Sequence, residues 1–237
     1  MDLLLNLNWL AVGQIILIDI LLGGDNAIVI ALACRNLPPK LRTRGIIFGT
    51  AGAIAIRVAL IAFAVALLDV PYLKLVGGVL LFWIGIKLLA ENGDSAHSDI
   101  PASDRLISAV KTILIADLVM SVDNVIAVAS AAEHAGGGHQ MLLVVFGILV
   151  SIPLIIWGST IVLKLMERFP FIIACGAGLL GYLAANMAVS DVAVVPWMQA
   201  NMPATDITVP GTGIHFSVPG LVSAAIVVAI GSWWSKR

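Results

Sequence analysis

Seven long apolar runs restrict the folds that are open to this chain of 237 residues. A helix needs about 20 apolar residues to cross the hydrocarbon core of a bilayer. Hydrophobic residues make up 60% of the chain and charged residues 11%, with a mean hydropathy of +1.07, which the surface of a water-soluble protein could not accommodate. The sequence therefore predicts an all-α membrane protein with seven transmembrane helices, at about residues 9–33, 45–68, 71–90, 108–132, 140–164, 169–188 and 219–234.

The positive charges between these runs predict how the chain is oriented. Cytoplasmic loops of membrane proteins collect Lys and Arg, whereas exported loops do not. The connections after the first, third and fifth runs and the C-terminal tail are basic, whereas residues 1–8, 133–139 and 189–218 contain no Lys or Arg. We therefore expect the N-terminus outside and the C-terminus inside. Residues 91–107 are then a polar cytoplasmic loop, and 189–218 form an irregular exported cap.

Several other classes of protein are disfavoured by the sequence. The first run lacks a basic segment before it and carries Asp19 and Asp25, so we interpret it as a permanent span and not as a signal peptide. Cys34 and Cys175 show no metal-ligand spacing. The net charge of −1, without a basic patch, argues against a nucleic-acid partner. We expect one transmembrane domain over 1–237, surrounded by the lipid bilayer, with no organic cofactor.

Two polar motifs inside the apolar runs repeat at an offset of 98 residues. The first, IDILLGGDNAIVIALA, begins at Ile18, and the second, ADLVMSVDNVIAVASA, begins at Ala116. Agreement of acidic and amide positions inside otherwise variable apolar helices favours an internal duplication over chance. The offset aligns three pairs of polar residues: Asp19 with Asp117, Asp25 with Asp123, and Asn26 with Asn124.

A duplication at this offset predicts an inverted repeat. Three spans separate the two motifs, so the copies cross the membrane in opposite directions. Inverted repeats of this kind are typical of secondary transporters, whose binding sites lie near the midplane of the bilayer where the repeats meet. We expect repeat 1 over about 9–90, repeat 2 over about 108–188, and an added seventh helix over about 219–234.

Four aspartates inside membrane helices carry a large energetic cost. Each ionisable side chain near the bilayer centre costs about 2.5–3.5 kcal/mol on insertion scales. Such residues usually face a cavity and mark an ion or proton path; neutral aspartic acids that bond helices together are the alternative. Gly23 and Gly24 favour unwinding of the first helix more than Ser121 and Val122 favour it in the second copy, which predicts an asymmetric site.

The oxygen ligands at these positions favour a hard divalent cation. Carboxylate and amide oxygens suit Mg²⁺, Ca²⁺ or Mn²⁺, and close aspartates that bind protons would release them on metal entry, which predicts exchange of metal for protons. Met120 is a further candidate ligand or a packing residue, and Arg57 is the charge partner of a site aspartate or of an acid elsewhere. The predicted metal ligands are Asp19, Asp25, Asn26, Asp117, Asp123 and Asn124.

With GGDNAIVIALA and MSVDNVIAVASA, the chain resembles the TerC family of integral membrane proteins over nearly its whole length, and most closely the short bacterial subgroup made only of the membrane domain. The family is similar to the wider lysine-exporter superfamily of inverted three-helix repeats. The resemblance implies a multi-pass protein of the bacterial inner membrane that exports Mn²⁺, with Ca²⁺ or Mg²⁺ as weaker candidates, and that is not an enzyme. The resemblance assigns the metal site to Asp25 with Asn26 and to Asp123 with Asn124. Asp19 and Asp117 are the supporting acidic positions.

Other functions stay open at this point. The superfamily suggests export of lysine-type amino acids or of Ca²⁺, and the family name suggests a non-transporting membrane component of tellurite resistance. An intramembrane aspartyl protease also uses two membrane aspartates, but the Gly-x-Gly-Asp, Tyr-Asp and Pro-Ala-Leu motifs of that class do not occur here. Asn186 and Asp191 are interpreted as a solvated end of the sixth helix, with an outer vestibule as the alternative. A homo-oligomer is compatible with the sequence but is not fixed by it.

Overall fold

The computed structural model describes residues 24–62, 70–91, 101–134, 140–202, 206–208 and 215–236, with side chains for these except 61–62, 102, 123–134, 140–151 and 208. Most of the described residues are helical, as the apolar runs predict. The helices are α1 (Gly24–Cys34), α2 (Pro39–Ala62), α3 (Leu73–Ala90), α4 (Ala102–His134), α5 (Gln140–Arg168), α6 (Phe171–Val189), α7 (Val195–Asn201) and α8 (Val218–Trp234).

Three of these helices are long and apolar enough to cross a membrane: α2 over Pro39–Leu60, α3 and α6. Among the described residues, α1 and α8 are shorter apolar helices. Large apolar side chains on the outer surface, such as Phe48, Val79 and Trp157, are more than half exposed, as expected for side chains that face lipid. The chain is therefore a helical membrane protein. The seven spans, the inverted repeat and the orientation stay predictions.

The connecting segments contain more regular structure than the sequence predicts. Helix α4 begins at Ala102, inside the predicted polar loop 91–107, because the N–H groups of Asp104 and Arg105 bond to the carbonyl of Pro101 and start the helix there. The predicted irregular cap 189–218 contains α7 and two short antiparallel strands, β1 (Asp206–Thr208) and β2 (His215–Ser217). The prediction of a purely α-helical chain is corrected to this extent.

Helix α1 lies at the centre of the hydrophobic core. Its side chains from Val29 to Leu32 are buried and pack in one cluster with residues of α3, α4, α5 and α6. Glycines bring two of these helices close: a Cβ at Gly176 of α6 would come within 2.9 Å of Ile28, and one at Gly158 of α5 within 3.7 Å of Ala27. The helix that carries the first polar motif is therefore surrounded by other helices.

Close glycine contacts also hold α3, α6 and α8 together. A Cβ at Gly78 of α3 would lie 2.5 Å from the carbonyl oxygen of Ala184 on α6. A Cβ at Gly181 of α6 would lie 3.0 Å from the carbonyl oxygen of Ser223 on α8. Small residues let helix backbones approach each other in this way inside membranes.

Candidate metal centre

Asn26 is a buried amide near the start of the described part of α1. Only 4% of the residue is exposed, and within the described part of the chain neither Oδ1 nor Nδ2 of its side chain has a hydrogen-bond partner. A buried polar group without a partner costs about 1–3 kcal/mol, and native structures keep few of them. The Asn26 side chain is therefore a candidate ligand for an ion or a water molecule.

Asp117 lies in the middle of α4 and forms a buried ion pair with Arg57 of α2. Arg57 Nη2 and Asp117 Oδ1 are 2.8 Å apart, and the two side chains are 4% and 7% exposed. Ser121, one turn further along α4, donates from Oγ to Asp117 Oδ2 at 3.1 Å and accepts from Arg57 Nε at 3.3 Å. Both carboxylate oxygens of Asp117 thus have a partner, as burial of a charge requires.

Asn26 and Asp117 line the same small cavity. The other lining residues are Val29, Ile30 and Ile113, all of them almost completely buried. Its volume is about 10 Å³, close to the smallest space that can hold one water molecule. The first polar motif, on α1, and the second, on α4, therefore meet in the core at one amide and one carboxylate.

Asp25 is half-buried beside this pair. Its Oδ1 accepts a hydrogen bond from the backbone N–H of Asn26 at 2.8 Å, and it lies near enough to Arg57 and Asp117 for their charges to act on it. Three of the six predicted ligands, Asp25, Asn26 and Asp117, are thus gathered in one region of the molecule.

The other predicted ligands cannot be placed in the same way. Asp19 lies outside the described residues, and Asp123 and Asn124 belong to α4 but their side chains lie outside the described part. In the part of the chain with described side chains, no three His, Cys, Asp or Glu residues are grouped as a metal site requires. Assignment of all six residues to one metal ion stays a prediction.

The described residues test only part of the predicted asymmetry between the two motifs. Helix α4 continues from Ala102 to His134 and so runs unbroken past Ser121 and Val122, where the sequence favours unwinding less. Gly24 lies at the start of the described part of α1, and Gly23 lies outside it. Met120 is buried in the apolar cluster around α1, where it packs against hydrophobic side chains.

A larger cavity, lined by both apolar and polar residues, lies on the side of the molecule that the charge pattern predicts to be cytoplasmic. It has a volume of about 340 Å³ and lies between the C-terminal ends of α1 and α3 and the first turns of α4. Asn36 and Arg35 donate to the carbonyl oxygen of Glu91 at its edge. We call this cavity the inner vestibule; its lining residues are Ala33, Asn36, Leu37, Leu88, Glu91, Asp104, Arg105, Ser108, Ala109 and Thr112.

One helical turn of apolar side chains separates the inner vestibule from the Asn26–Asp117 cavity. Ile30 lies four residues after Asn26 on α1, and Ile113 lies four residues before Asp117 on α4. Their side chains are 3% and 1% exposed. A turn of helix rises about 5.4 Å, so the barrier between the two cavities is thin.

Asp191 has a structural role that the sequence does not predict. It is fully buried and not a solvated helix end, because it caps the N-terminus of α3. Its carboxylate accepts from the backbone N–H groups of Tyr72 at 3.0 Å, Leu75 at 3.1 Å and Ala193 at 2.9 Å. Burial acts to raise the pKa of Asp191, but these donors outweigh it and hold the pKa below its ordinary value.

Known proteins similar to this chain are bacterial membrane proteins. The family model described as integral membrane protein TerC family matches residues 5–237. Membrane protein YjbE of Bacillus subtilis (strain 168) is 47% identical over 174 residues, covering 73% of this chain and 77% of YjbE. Membrane protein YceF of the same organism is 24% identical over 230 residues, covering 94% and 79%. Inner membrane protein YgdQ of Escherichia coli (strain K12) is 24% identical over 178 residues, covering 68% and 73%. No solved structure matches the chain.

Proposed function

The chain belongs to the TerC family of integral membrane proteins, which is associated with membrane transport or metal resistance, and we propose that it is a secondary transporter that exports Mn²⁺ across the bacterial inner membrane. In this proposal the protein is not an enzyme and carries Mn²⁺ as its substrate. Protons are the counter-ion, and the lipid bilayer is the only other partner that transport needs.

The buried Asn26 amide carries this proposal. Both of its polar atoms lack a partner in the described residues, and it shares a cavity with the carboxylate of Asp117. Packing alone gives no reason to bury this amide and the carboxylate side by side in an apolar core. Hard oxygen ligands at such a position favour a divalent cation of the Mg²⁺, Ca²⁺ or Mn²⁺ class.

The two cavities suggest how the ion would reach the site. The inner vestibule reaches Ala33 on α1 and Thr112 on α4, which are seven residues from Asn26 and five from Asp117 along the chain. Displacement of Ile30 or Ile113 would connect the two cavities, and closure would seal the ion from the cytoplasm. Asp25, beside Asn26, supplies a second carboxylate, and Asp19 together with Asp123 and Asn124 of the other motif completes the proposed ligand set.

Cellular manganese content tests the proposal. A host that lacks its own manganese exporters is grown in excess Mn²⁺ with the wild-type chain, with Asp25→Asn, or with Asp123→Asn. We expect the wild-type chain to lower cellular manganese at least about twofold and each variant to lose most of this effect, because each removes a charged ligand.

Asp206→Asn serves as the control, because Asp206 is an exposed aspartate in β1, away from the cavities. It should lower manganese as the wild type does. Calcium, magnesium and lysine are measured in the same cells. Unchanged manganese together with a fall in lysine or calcium would contradict the proposal and favour an amino-acid or calcium exporter. No change in any of them, with tellurite resistance still conferred, would favour a non-transporting component.

A further inference from the structure

The guanidinium group of Arg57 lies where it must affect any cation that Asp117 ligates. It is 2.8 Å from Asp117 Oδ1, and Ser121 Oγ bonds both to Arg57 Nε and to Asp117 Oδ2. A cation held by a carboxylate oxygen would lie about 2–2.5 Å from that oxygen. The two positive charges would then be about 5 Å apart inside a buried and poorly hydrated region.

From this arrangement we infer that Arg57 competes with the transported cation for Asp117, so that it acts as an internal cation that limits how tightly the site holds its substrate. The inference rests on the proposed function, and it assigns to Arg57 a part in setting affinity and release. The Arg57–Asp117 pair and the cation–Asp117 pair are then alternative states of one carboxylate.

The space around Asp117 supports alternation over simultaneous binding. The cavity that Asp117 shares with Asn26 measures about 10 Å³, which leaves no room for a hydrated ion next to the present position of the guanidinium. Arg57 lies on α2, whereas the two polar motifs lie on α1 and α4. Movement of the Arg57 side chain or of α2 would therefore free Asp117 without unfolding either motif.

The same ion pair has a purely structural explanation, in which it only joins α2 to α4. The two explanations predict opposite effects of removing the positive charge. A structural pair predicts that loss of Arg57 disturbs the site and weakens cation binding. Competition predicts tighter binding, because the cation no longer has to displace the guanidinium from the Asp117 carboxylate.

Binding of Mn²⁺ to the purified full-length protein in lipid nanodiscs, measured by isothermal titration calorimetry, distinguishes them. For Arg57→Gln we expect the Kd for Mn²⁺ to fall at least about tenfold, since the cation no longer has to break the buried Arg57–Asp117 pair, whose attraction exceeds that ratio even at an effective dielectric constant near 20. Arg57→Lys keeps the charge and should stay within about threefold of the wild type.

Arg42→Gln is the matched control. Arg42 also pairs with an acid, Glu167, but both of these side chains are partly exposed and lie away from the cavity. Its loss should change the Kd for Mn²⁺ less than about twofold, because exposed charges are screened. Folded Arg57→Gln protein that binds Mn²⁺ no more tightly than the wild type would overturn the inference.

A double variant covers the case in which Arg57→Gln does not fold. Arg57→Gln combined with Asp117→Asn removes both charges of the buried pair. Competition predicts a Kd within about tenfold of the wild type, because a ligand and its competitor are lost together. A Kd for Mn²⁺ that rises by much more than about tenfold in the double variant would contradict competition. If the wild-type protein bound no Mn²⁺, the proposed function itself would be wrong. That result differs from Mn²⁺ binding with a Kd that does not change when Arg57 is replaced, which would contradict only the competition.

Discussion

Individual polar residues in the core of this protein differ in how they are satisfied. Asp117 and Arg57 satisfy each other with the help of Ser121, and Asp191 is satisfied by backbone donors. Asn26 is different, since neither side-chain atom has a partner among the described residues. If Asn26 binds the ion as proposed, its amide lowers the stability of the protein for the sake of that binding.

Replacement of Asn26 by leucine tests this conflict. Leucine has the same number and branching of side-chain heavy atoms and no polar atoms, so Asn26→Leu removes the cost of an unsatisfied buried amide, about 1–3 kcal/mol. We expect a melting temperature several degrees higher than that of the wild type and weaker Mn²⁺ binding. Scanning fluorimetry of the purified protein, with and without Mn²⁺, measures both effects.

Asn36→Leu is the comparison for this substitution. The Asn36 amide donates to the carbonyl oxygen of Glu91 at 2.8 Å, so its loss should lower the melting temperature. A lower melting temperature for Asn26→Leu as well would show that the Asn26 amide is satisfied in the protein and would remove the main support for an ion site.

The sequence predicts some of these residue roles and leaves others undetermined. A buried arginine in the middle of an apolar helix requires a counter-charge, but spacing along the chain cannot say which acid provides it. The pairing of Arg57 with Asp117 depends on how α2 packs against α4, sixty residues further along the chain. The sequence does not reveal the role of Asp191 for the same reason. Its partners Tyr72 and Leu75 lie at the start of α3, more than 100 residues earlier in the chain.

At the scale of helices, the N-terminus of α3 depends on a cap from another element. Its N-cap residue, Tyr72, has φ of 65°, in the left-handed region, and provides no side-chain cap. Such a conformation is unfavourable for a residue with a side chain. The Asp191 carboxylate compensates by accepting from the N–H groups of Tyr72 and Leu75, and it also places a negative charge at the positive end of the helix.

Removal of this cap should destabilise the protein in a pH-dependent manner. For Asp191→Ala we expect the melting temperature at neutral pH to fall by about 5 °C, because buried N–H groups lose their acceptor. The folded protein holds the pKa of Asp191 below its ordinary value. Its contribution is therefore fully present above about pH 4 and is lost as the pH falls through the lower, folded-state pKa.

Thermal unfolding of wild type and Asp191→Ala between pH 7 and pH 3 measures this effect. The difference in melting temperature should be largest at neutral pH and should shrink below about pH 4. Asp206→Ala, which changes an exposed aspartate of β1, should show little difference at any pH. A constant difference for Asp191→Ala across this range would contradict the capping role.

Helix positions are the part of the structure that the sequence predicts best. The apolar runs at 71–90, 169–188 and 219–234 correspond to α3, α6 and α8 within about two residues, because hydrophobic length is set by the bilayer and is visible in the chain itself. The short elements α7, β1 and β2 are not predicted. Their residues carry no strong periodic pattern, and the strands form through pairing across a connection, as between Ile207 and Phe216.

For the molecule as a whole, the arrangement is a central helix enclosed by others. Helix α1 carries Asn26 and is surrounded by the apolar cluster, while the outer surface presents large apolar side chains such as Trp157 and Val79. The inner vestibule approaches this centre from one end. Among the described residues, the inner vestibule thus opens toward the site from one side of the membrane.

Cysteine labelling tests which side that is. In a background with Cys34→Ala and Cys175→Ala, Ser108→Cys places a thiol in the inner vestibule and Asn201→Cys places one at the exposed end of α7. The Lys and Arg distribution predicts that a membrane-impermeant maleimide labels Ser108→Cys only in inside-out vesicles and Asn201→Cys only in right-side-out vesicles. The reverse pattern would contradict the predicted orientation.

The central claim is that buried Asp and Asn side chains of two repeated motifs bind a divalent cation and carry it across the membrane. Mn²⁺ flux into proteoliposomes that contain only the purified protein tests it most directly. We expect the wild-type protein to move Mn²⁺ well above protein-free liposomes, and Asp25→Asn and Asp123→Asn to reduce the rate at least about tenfold through loss of a charged ligand. Wild-type protein that moves no Mn²⁺, or variants that move it at the wild-type rate, would contradict the account.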